Sequence, residues 1–145
     1  METIRAIKNK GELEGTCYVE LLPGKYKEQC WNASSLFFEE EVFGYLEKII
    51  SRHAPSYDHY AFTEINKETW GKIVQDFQTL ESTLDESHSF DDLLKDVGFL
   101  FNGSETCFAE KFQENKAALK RLLSEVSIWI LRESSQHGCV TVLGL

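Results

Sequence analysis

Apolar side chains recur at gaps of three or four residues in three stretches of the chain, which predicts three amphipathic helices. Residues 34–50 carry the first apolar stripe, formed by Val42, Tyr45, Leu46, Ile49 and Ile50. The second stripe follows Asn66 and consists of Trp70, Ile73, Val74, Phe77 and Leu80. The third stripe extends over about residues 104–134 and consists of Phe108, Phe112, Leu119, Leu122, Leu123, Val126 and Ile130. We expect Ser35 to cap the first helix and Gly138 to stop the last one.

A shorter helix is predicted after the loop at residues 85–89. Ser89 and Asp92 have the spacing of a capping box, with Asp in place of the usual Glu or Gln. Leu93, Leu94 and Val97 would form the buried face of this helix, and Gly98 would end it.

Strict alternation of apolar and polar residues predicts strands elsewhere. Residues 3–9 and 16–22 are predicted strands, the second with Cys17, Val19 and Leu21 at alternate positions, and the glycine-bounded KGELEG between them predicts a hairpin. Residues 56–65 also alternate, with Tyr60 and Phe62 on one face. The final CVTVLGL is rich in β-branched residues, and we expect it to pair with the hairpin at the centre of the sheet.

These elements predict an α+β fold, in which a small, mainly antiparallel sheet from both chain ends packs against three to four helices, including a long C-terminal helix. The length of 145 residues suits one domain, and we assign residues 1–145 to it. A chain of this size can bury a stable core without metals or disulfides.

The charge balance is strongly acidic, because 15 Lys and Arg face 24 Asp and Glu, for a net charge of −9. Such a surplus disfavours nucleic acid and anionic membranes and attracts cationic partners. We find neither a signal peptide at the start nor a run of about 20 apolar residues for a membrane span. We therefore expect a cytoplasmic protein that binds neither nucleic acid nor membrane.

Motifs for catalysis or metal binding are not found in the sequence. It contains no G-x-S-x-G, P-loop or G-x-G-x-x-G, and its four cysteines and four histidines have no zinc-site spacing. We expect the cysteines to be reduced thiols that mostly fill the core. His53 and His137 lie near predicted helix C-termini, where the helix dipole favours a cation. The prediction is a protein that is not an enzyme and has no cofactor or metal.

Acidic residues next to aromatic ones are the remaining signal. Glu39, Glu40 and Glu41, called the glutamate triplet below, follow Phe37 and Phe38 directly. Aromatic anchors with a charged rim are common in protein interfaces. Further acidic residues cluster at Asp85, Glu86, Asp91 and Asp92. The candidate partner-binding residues are therefore Phe37, as an apolar anchor, and these carboxylates: Glu39, Glu40, Glu41, Asp85, Glu86, Asp91 and Asp92.

Stabilisation of a helix start is the alternative explanation of the glutamate triplet, because the helix dipole favours negative charge in the first turn. A similar choice applies to PGKYKEQCW at residues 23–31, where two lysines alternate with aromatic residues. Two lysines in a chain of net charge −9 favour a solvated loop over a nucleic-acid site.

In length, charge and layout, the chain resembles the immunity proteins of bacterial toxin systems such as contact-dependent growth inhibition, including the helix NKAALKRLLSEVSIWILRE that leads into CVTVLGL. Proteins of this kind are small, acidic and free of cofactors, and each neutralises one toxin domain. The resemblance implies that the acidic surface covers the basic active-site cleft of a toxin. Many toxins of this kind are nucleases.

Two other classes of function stay open at this point. One is a small enzyme or ligand-binding domain whose pocket is assembled from residues distant in sequence. The other is an adaptor or scaffold subunit that dimerises through the apolar SIWIL segment at residues 127–131.

Overall fold

The computed structural model describes residues 3–86 and 89–145 and is built around a four-stranded antiparallel sheet. The strands are β1 (Tyr18–Pro23), β2 (Leu36–Glu39), β3 (Phe62–Asn66) and β4 (Cys139–Leu143). The helices are α1 (Glu40–His53), α2 (Lys67–Glu86), α3 (Ser104–Glu110) and α4 (Phe112–His137). Short 3-10 helices lie at Lys10–Glu12 and Phe90–Leu93. This architecture confirms the predicted α+β fold with a long C-terminal helix.

The strand order is β2-β1-β4-β3, so the C-terminal strand lies inside the sheet between β1 and β3. All five residues of β4 are buried, which explains why the segment is β-branched and carries no charge. The predicted pairing of the last strand with an N-terminal strand is therefore confirmed.

The helices pack on one face of the sheet and form the larger core. Side chains from α1, α2 and α4 meet Val19, Leu21 and Val142 there. The Trp70 indole of α2 is fully buried and donates to the carbonyl oxygen of Val140 at 3.0 Å, so α2 is fixed directly to β4. In the part of the chain that the structure describes, no helix is long and apolar enough to cross a membrane.

The predicted N-terminal hairpin is wrong. Residues 3–9 form no strand, and only Ile7 bonds to the sheet, where it exchanges two backbone hydrogen bonds with Phe37 of β2. The segment then turns away, because the Asn9 side chain accepts from the Gly11 N–H and starts the 3-10 helix. Instead of a hairpin partner, β1 has β2 and β4 as neighbours.

The predicted helix over residues 34–50 begins later than expected, at Glu40. Residues 36–39 form β2 because both faces of this segment are buried: Leu36 and Phe38 join the helix-side core, and Phe37 points to the opposite face. Ser35 does not cap the helix; its hydroxyl donates to the Glu20 carboxylate at 2.6 Å. The predicted position of the glutamate triplet at the start of the helix is correct.

The predicted helix over residues 104–134 is divided into α3 and α4 at Lys111, whose φ of −121° and ψ of 49° are not helical. The buried Asn115 amide donates to the carbonyl of Phe108 at 3.1 Å, a group that the end of α3 leaves without a helical partner. Helix α4 ends at His137, where Gly138 adopts a left-handed φ of 80°.

The loop predicted at residues 85–89 begins too early, because Asp85 and Glu86 still belong to α2; Ser87 and His88 lie outside the described residues. Beyond them, the predicted helix is reduced to the 3-10 helix Phe90–Leu93. Ser89 does cap it, but it accepts from the Asp91 N–H and not from Asp92 as in a capping box. Leu93 and Val97 are buried.

The expectation that the cysteines mostly fill the core is wrong for three of them. Cys17, Cys30 and Cys107 are exposed, and Cys139 is buried in β4. The exposed thiols belong to a loop or to the outward face of α3, where local sequence gives no burial signal.

Candidate functional site

The sheet face opposite the helices carries the first part of the site. Because side chains alternate along a strand, Tyr18 and Glu20 of β1 share this face with Phe62 of β3 and Leu143 of β4. The loop at residues 24–35, between β1 and β2, covers part of this face and is called the cover loop.

A buried carboxylate holds the cover loop in place. Glu20 is only 2% exposed, and its Oε1 accepts from the Trp31 N–H at 2.6 Å. Its Oε2 accepts from the Asn32 N–H at 3.0 Å, the Asn32 Nδ2 at 2.9 Å and the Ser35 hydroxyl at 2.6 Å. Bonds of this kind to an ionised acceptor are stronger than neutral ones, so the buried charge is compensated by the loop that covers it.

The backbone of the cover loop is strained at two positions. Glu28 and Trp31 have φ values of 63° and 59°, which residues other than glycine rarely adopt. The bond from the Trp31 N–H to Glu20 stabilises this conformation at Trp31. As a result, a large aromatic side chain is held at the surface in a fixed place.

Beside Trp31 lies a groove of about 390 Å³, called the aromatic groove. Its apolar lining comes from Tyr18, Trp31, Phe62, Leu143 and Leu145. The Trp31 ring meets the Tyr18 ring edge-on, with centroids 6.3 Å apart, and Tyr26 packs on Phe62 at 4.9 Å. Trp31 and Phe62 remain 36% and 47% exposed, so the groove presents aromatic surface to solvent.

Two thiols also line the aromatic groove, from Cys17 and Cys30. Partial burial, together with the negative charge of Glu20, raises the pKa of the Cys30 thiol above its ordinary value. This thiol is therefore less readily ionised than an ordinary cysteine.

The glutamate triplet lines a second cleft, of about 350 Å³, called the acidic cleft. Glu14 comes from the loop before β1 and adds a fourth carboxylate to its lining. Glu39 ends β2, and Glu40 and Glu41 open α1, where the dipole of the helix stabilises their charge. Four carboxylates in one concavity create a strongly negative local field.

Phe101 supplies the apolar wall of the acidic cleft and is 48% exposed. Phe101 reaches the cleft because the segment before it runs along α1. Two hydrogen bonds fix this segment: the Lys48 ammonium donates to the Leu94 carbonyl at 2.6 Å, and the Gly98 N–H donates to the Tyr45 carbonyl at 3.3 Å. This path leads from the middle of α1 back to its first turn.

His59 lies next to one member of the glutamate triplet. Its Nδ1 lies 2.7 Å from Oε2 of Glu47, and its Nε2 lies 3.4 Å from Oε1 of Glu40. The Tyr57 hydroxyl donates to the same Glu47 oxygen at 2.6 Å, and burial together with this bond raises the pKa of Tyr57. The His59 ring, which Glu47 positions, therefore lies beside Glu40.

The acidic cleft and the aromatic groove are neighbours, because Cys17 and Tyr18 line both. The Tyr18 hydroxyl accepts from the Glu14 N–H at 2.8 Å and donates to the Glu14 carbonyl at 2.9 Å. Tyr18 thereby ties the Glu14 loop to the sheet between the two depressions. Together they form one surface, acidic at one end and aromatic at the other.

The other predicted acidic residues lie elsewhere. Asp85 pairs with Lys120 of α4 at 2.6 Å and lines a separate cleft of about 540 Å³, together with Lys116 and Arg121. Glu86 ends α2, and Asp91 and Asp92 are exposed in the 3-10 helix. None of these four carboxylates lines the acidic cleft.

Phe37 was wrongly predicted as an exposed anchor, because its side chain is 0% exposed. It is buried on the sheet face under the cover loop and the N-terminal segment, next to Glu20 across the ladder. The exposed aromatic residues of the site are Trp31, Phe62 and Phe101. Strand alternation indicated Phe62, and the aromatic residues of the cover loop were visible in the sequence; the position of Phe101 was not. The predicted strand over residues 56–65 is only Phe62–Asn66 in the structure, so Tyr60 lies in a turn before β3 and does not share its face.

Among residues 3–86 and 89–145, no group of three or more His, Cys, Asp or Glu side chains is arranged to hold a metal ion. Comparison with protein-family models, with curated proteins and with solved structures finds no match for this chain.

Proposed function

We propose that this protein is an immunity-type inhibitor that binds and neutralises a basic toxin domain. The observation that supports this proposal is the convergence of the glutamate triplet with Glu14 in one cleft beside the exposed Phe101. Carboxylates next to aromatic surface are complementary to the cationic cleft of a protein that binds nucleic acid. The partner would be a nuclease, and the interaction would take place in the cytoplasm.

Inhibition would occur by occlusion and would need no chemical step. The carboxylates would occupy the positions at which the toxin binds the phosphates of its substrate. Complementary charge would speed the encounter, and the desolvated aromatic contacts would slow release. The inhibitor would therefore bind the cleft quickly and dissociate from it slowly.

The test is capture of the tagged protein from its native host, followed by identification of any stoichiometric partner. We expect a basic protein that is toxic when expressed alone and harmless when co-expressed with this chain. A variant with Glu14→Lys and Glu41→Lys should retain the fold and lose at least tenfold in affinity. Glu40 is left unchanged in it because that residue contacts His59.

The matched control reverses two exposed carboxylates away from the cleft, Glu110→Lys and Glu114→Lys, and changes the net charge by the same amount. Equal binding by the two double variants would contradict the role of the acidic cleft. Capture of an acidic partner, or turnover of a small molecule by the purified protein, would contradict the proposed function as a whole.

A further inference from the structure

The fold holds the aromatic groove in a fixed shape. The cover loop adopts a strained backbone at Trp31 and is held there by a buried carboxylate that accepts several hydrogen bonds. Strained backbone that the surrounding structure holds in place occurs most often at functional sites. Here its effect is to place an indole ring over the open sheet face instead of inside the core.

The chemistry of the groove favours an apolar occupant. Trp31, Phe62 and Leu143 contribute apolar surface to its lining, and the Glu20 side chain there already accepts hydrogen bonds from the protein through both carboxylate oxygens. An aromatic-lined depression with exposed ring edges gains free energy when an aliphatic or aromatic side chain displaces its water.

The charge of the adjoining cleft restricts the occupant further. Because Cys17 and Tyr18 line both depressions, a chain segment that fills the aromatic groove places its neighbouring residues beside Glu14 and the glutamate triplet. Only basic neighbours complement these carboxylates. Acidic or neutral neighbours would leave the negative field uncompensated.

We propose that the aromatic groove receives an apolar side chain from a partner segment in which an arginine or lysine within one or two residues reaches the acidic cleft. This inference rests on the proposed function and specifies the recognition element: a basic segment with an apolar anchor, read by two adjacent depressions. The charge would determine the encounter, and the anchor would determine the selectivity.

NMR of the whole protein tests the proposal with a synthetic peptide, Gly-Arg-Arg-Leu-Arg-Arg-Gly with blocked ends. The protein has three tryptophans, and their indole N–H signals report on different places. Trp31 lies in the groove, Trp70 is buried against β4, and Trp129 belongs to α4. We expect saturable shifts of the Trp31 indole and of the amides of the glutamate triplet, with the other two indoles unchanged.

Replacing the peptide leucine by glycine should weaken binding about tenfold and remove the Trp31 shift. Phe62→Ala should have a similar effect on the leucine peptide. The control Ile128→Ala, at an exposed site on α4, should bind like the parent protein. Circular dichroism verifies that each variant is folded.

The outcomes separate the two proposals. If the leucine and glycine peptides both shift only the amide signals of the glutamate triplet, the aromatic groove is not a recognition site. This inference then fails, while the proposed function stands. Binding of a peptide with glutamate in place of arginine contradicts both. If no peptide moves the Trp31 indole, the groove proposal is overturned, and the co-purification experiment still decides the proposed function.

Discussion

At the scale of single residues, Glu20 fixes the position of the cover loop. It sits in the middle of β1, faces away from the helices and is covered by the loop that donates hydrogen bonds to it. A buried carboxylate costs free energy unless it is fully bonded, so the cover loop and Glu20 stabilise each other. This mutual dependence makes the conformation of Trp31 sensitive to one side chain in a neighbouring strand.

Glu20→Gln should lower the free energy of unfolding by about 2–3 kcal/mol. The amide nitrogen would face donors where the carboxylate now accepts, and the remaining bonds would lose their charge. Urea unfolding measures the loss, and tryptophan emission reports on the release of Trp31. Glu64→Gln, at an exposed position of β3, is the control and should stay within about 0.5 kcal/mol of the parent. Equal stability of the two variants would show that the network is dispensable.

At the scale of elements, ion pairs join three segments at the C-terminal end of α1. Arg52 lies 2.9 Å from Asp76 of α2 and 2.8 Å from Asp96, and His53 lies 2.7 Å from the same Asp76 oxygen. The bonds from His53 and Arg52 lower the pKa of Asp76 below its ordinary value, although partial burial opposes them. The ionised form of Asp76 is therefore favoured in the folded state.

A lowered carboxyl pKa stabilises the fold above its ordinary value of 3.8 and loses this effect as pH falls through the folded value. Asp76→Asn should therefore be less stable than the parent at about pH 5, and the difference should shrink below about pH 4. Thermal unfolding across this range measures it. Asp92→Asn, at an exposed site, serves as the control. A gap between Asp76→Asn and the parent that is unchanged down to pH 2 would contradict this account.

The contact between α1 and the segment before Phe101 sets the position of Phe101 in the acidic cleft. A Cβ atom at Gly98 would lie 2.6 Å from the backbone oxygen of Gly44, closer than real contacts permit. Gly98→Ala should therefore cost about 1–3 kcal/mol and shift the amide signals of the glutamate triplet, because it displaces the segment that carries Phe101. Gly71→Ala is the matched control, since a Cβ there meets nothing within 4 Å. As a substitution inside a helix, it should be neutral or stabilising by up to about 1 kcal/mol.

At the scale of the whole molecule, the net charge of −9 and the two adjoining depressions have separate consequences. The charge acts over a Debye length, about 10 Å at 0.1 M salt, and should govern how fast a basic partner arrives. The aromatic contacts act only at contact and should govern how long it stays. With the captured partner, added salt should therefore reduce the association rate far more than it changes the dissociation rate. A dissociation rate that responds to salt as strongly would indicate a purely electrostatic complex.

The acidic residues illustrate how far sequence reasoning reached. The glutamate triplet could be located at a helix start because its surroundings are local, and it does line a cleft. Asp85 and Asp91 belong to further acidic clusters of the sequence, and the fold places neither in that cleft. Phe37 is close to the triplet in sequence, but strand alternation points its side chain toward the protein interior. Adjacency along a strand says little about which side of the sheet a residue faces.

Local sequence was sufficient for the α+β class, the apolar stripes, the central C-terminal strand and the acidic character, because periodicity and charge are properties of short segments. Three-dimensional packing decided the rest. It turned residues 36–39 into a strand, set the cover loop on Glu20 and brought Glu14, Phe101 and the glutamate triplet together. These features depend on contacts between residues far apart in the chain. Their free energy comes from burial and hydrogen bonding in the assembled fold, which no short segment can specify alone.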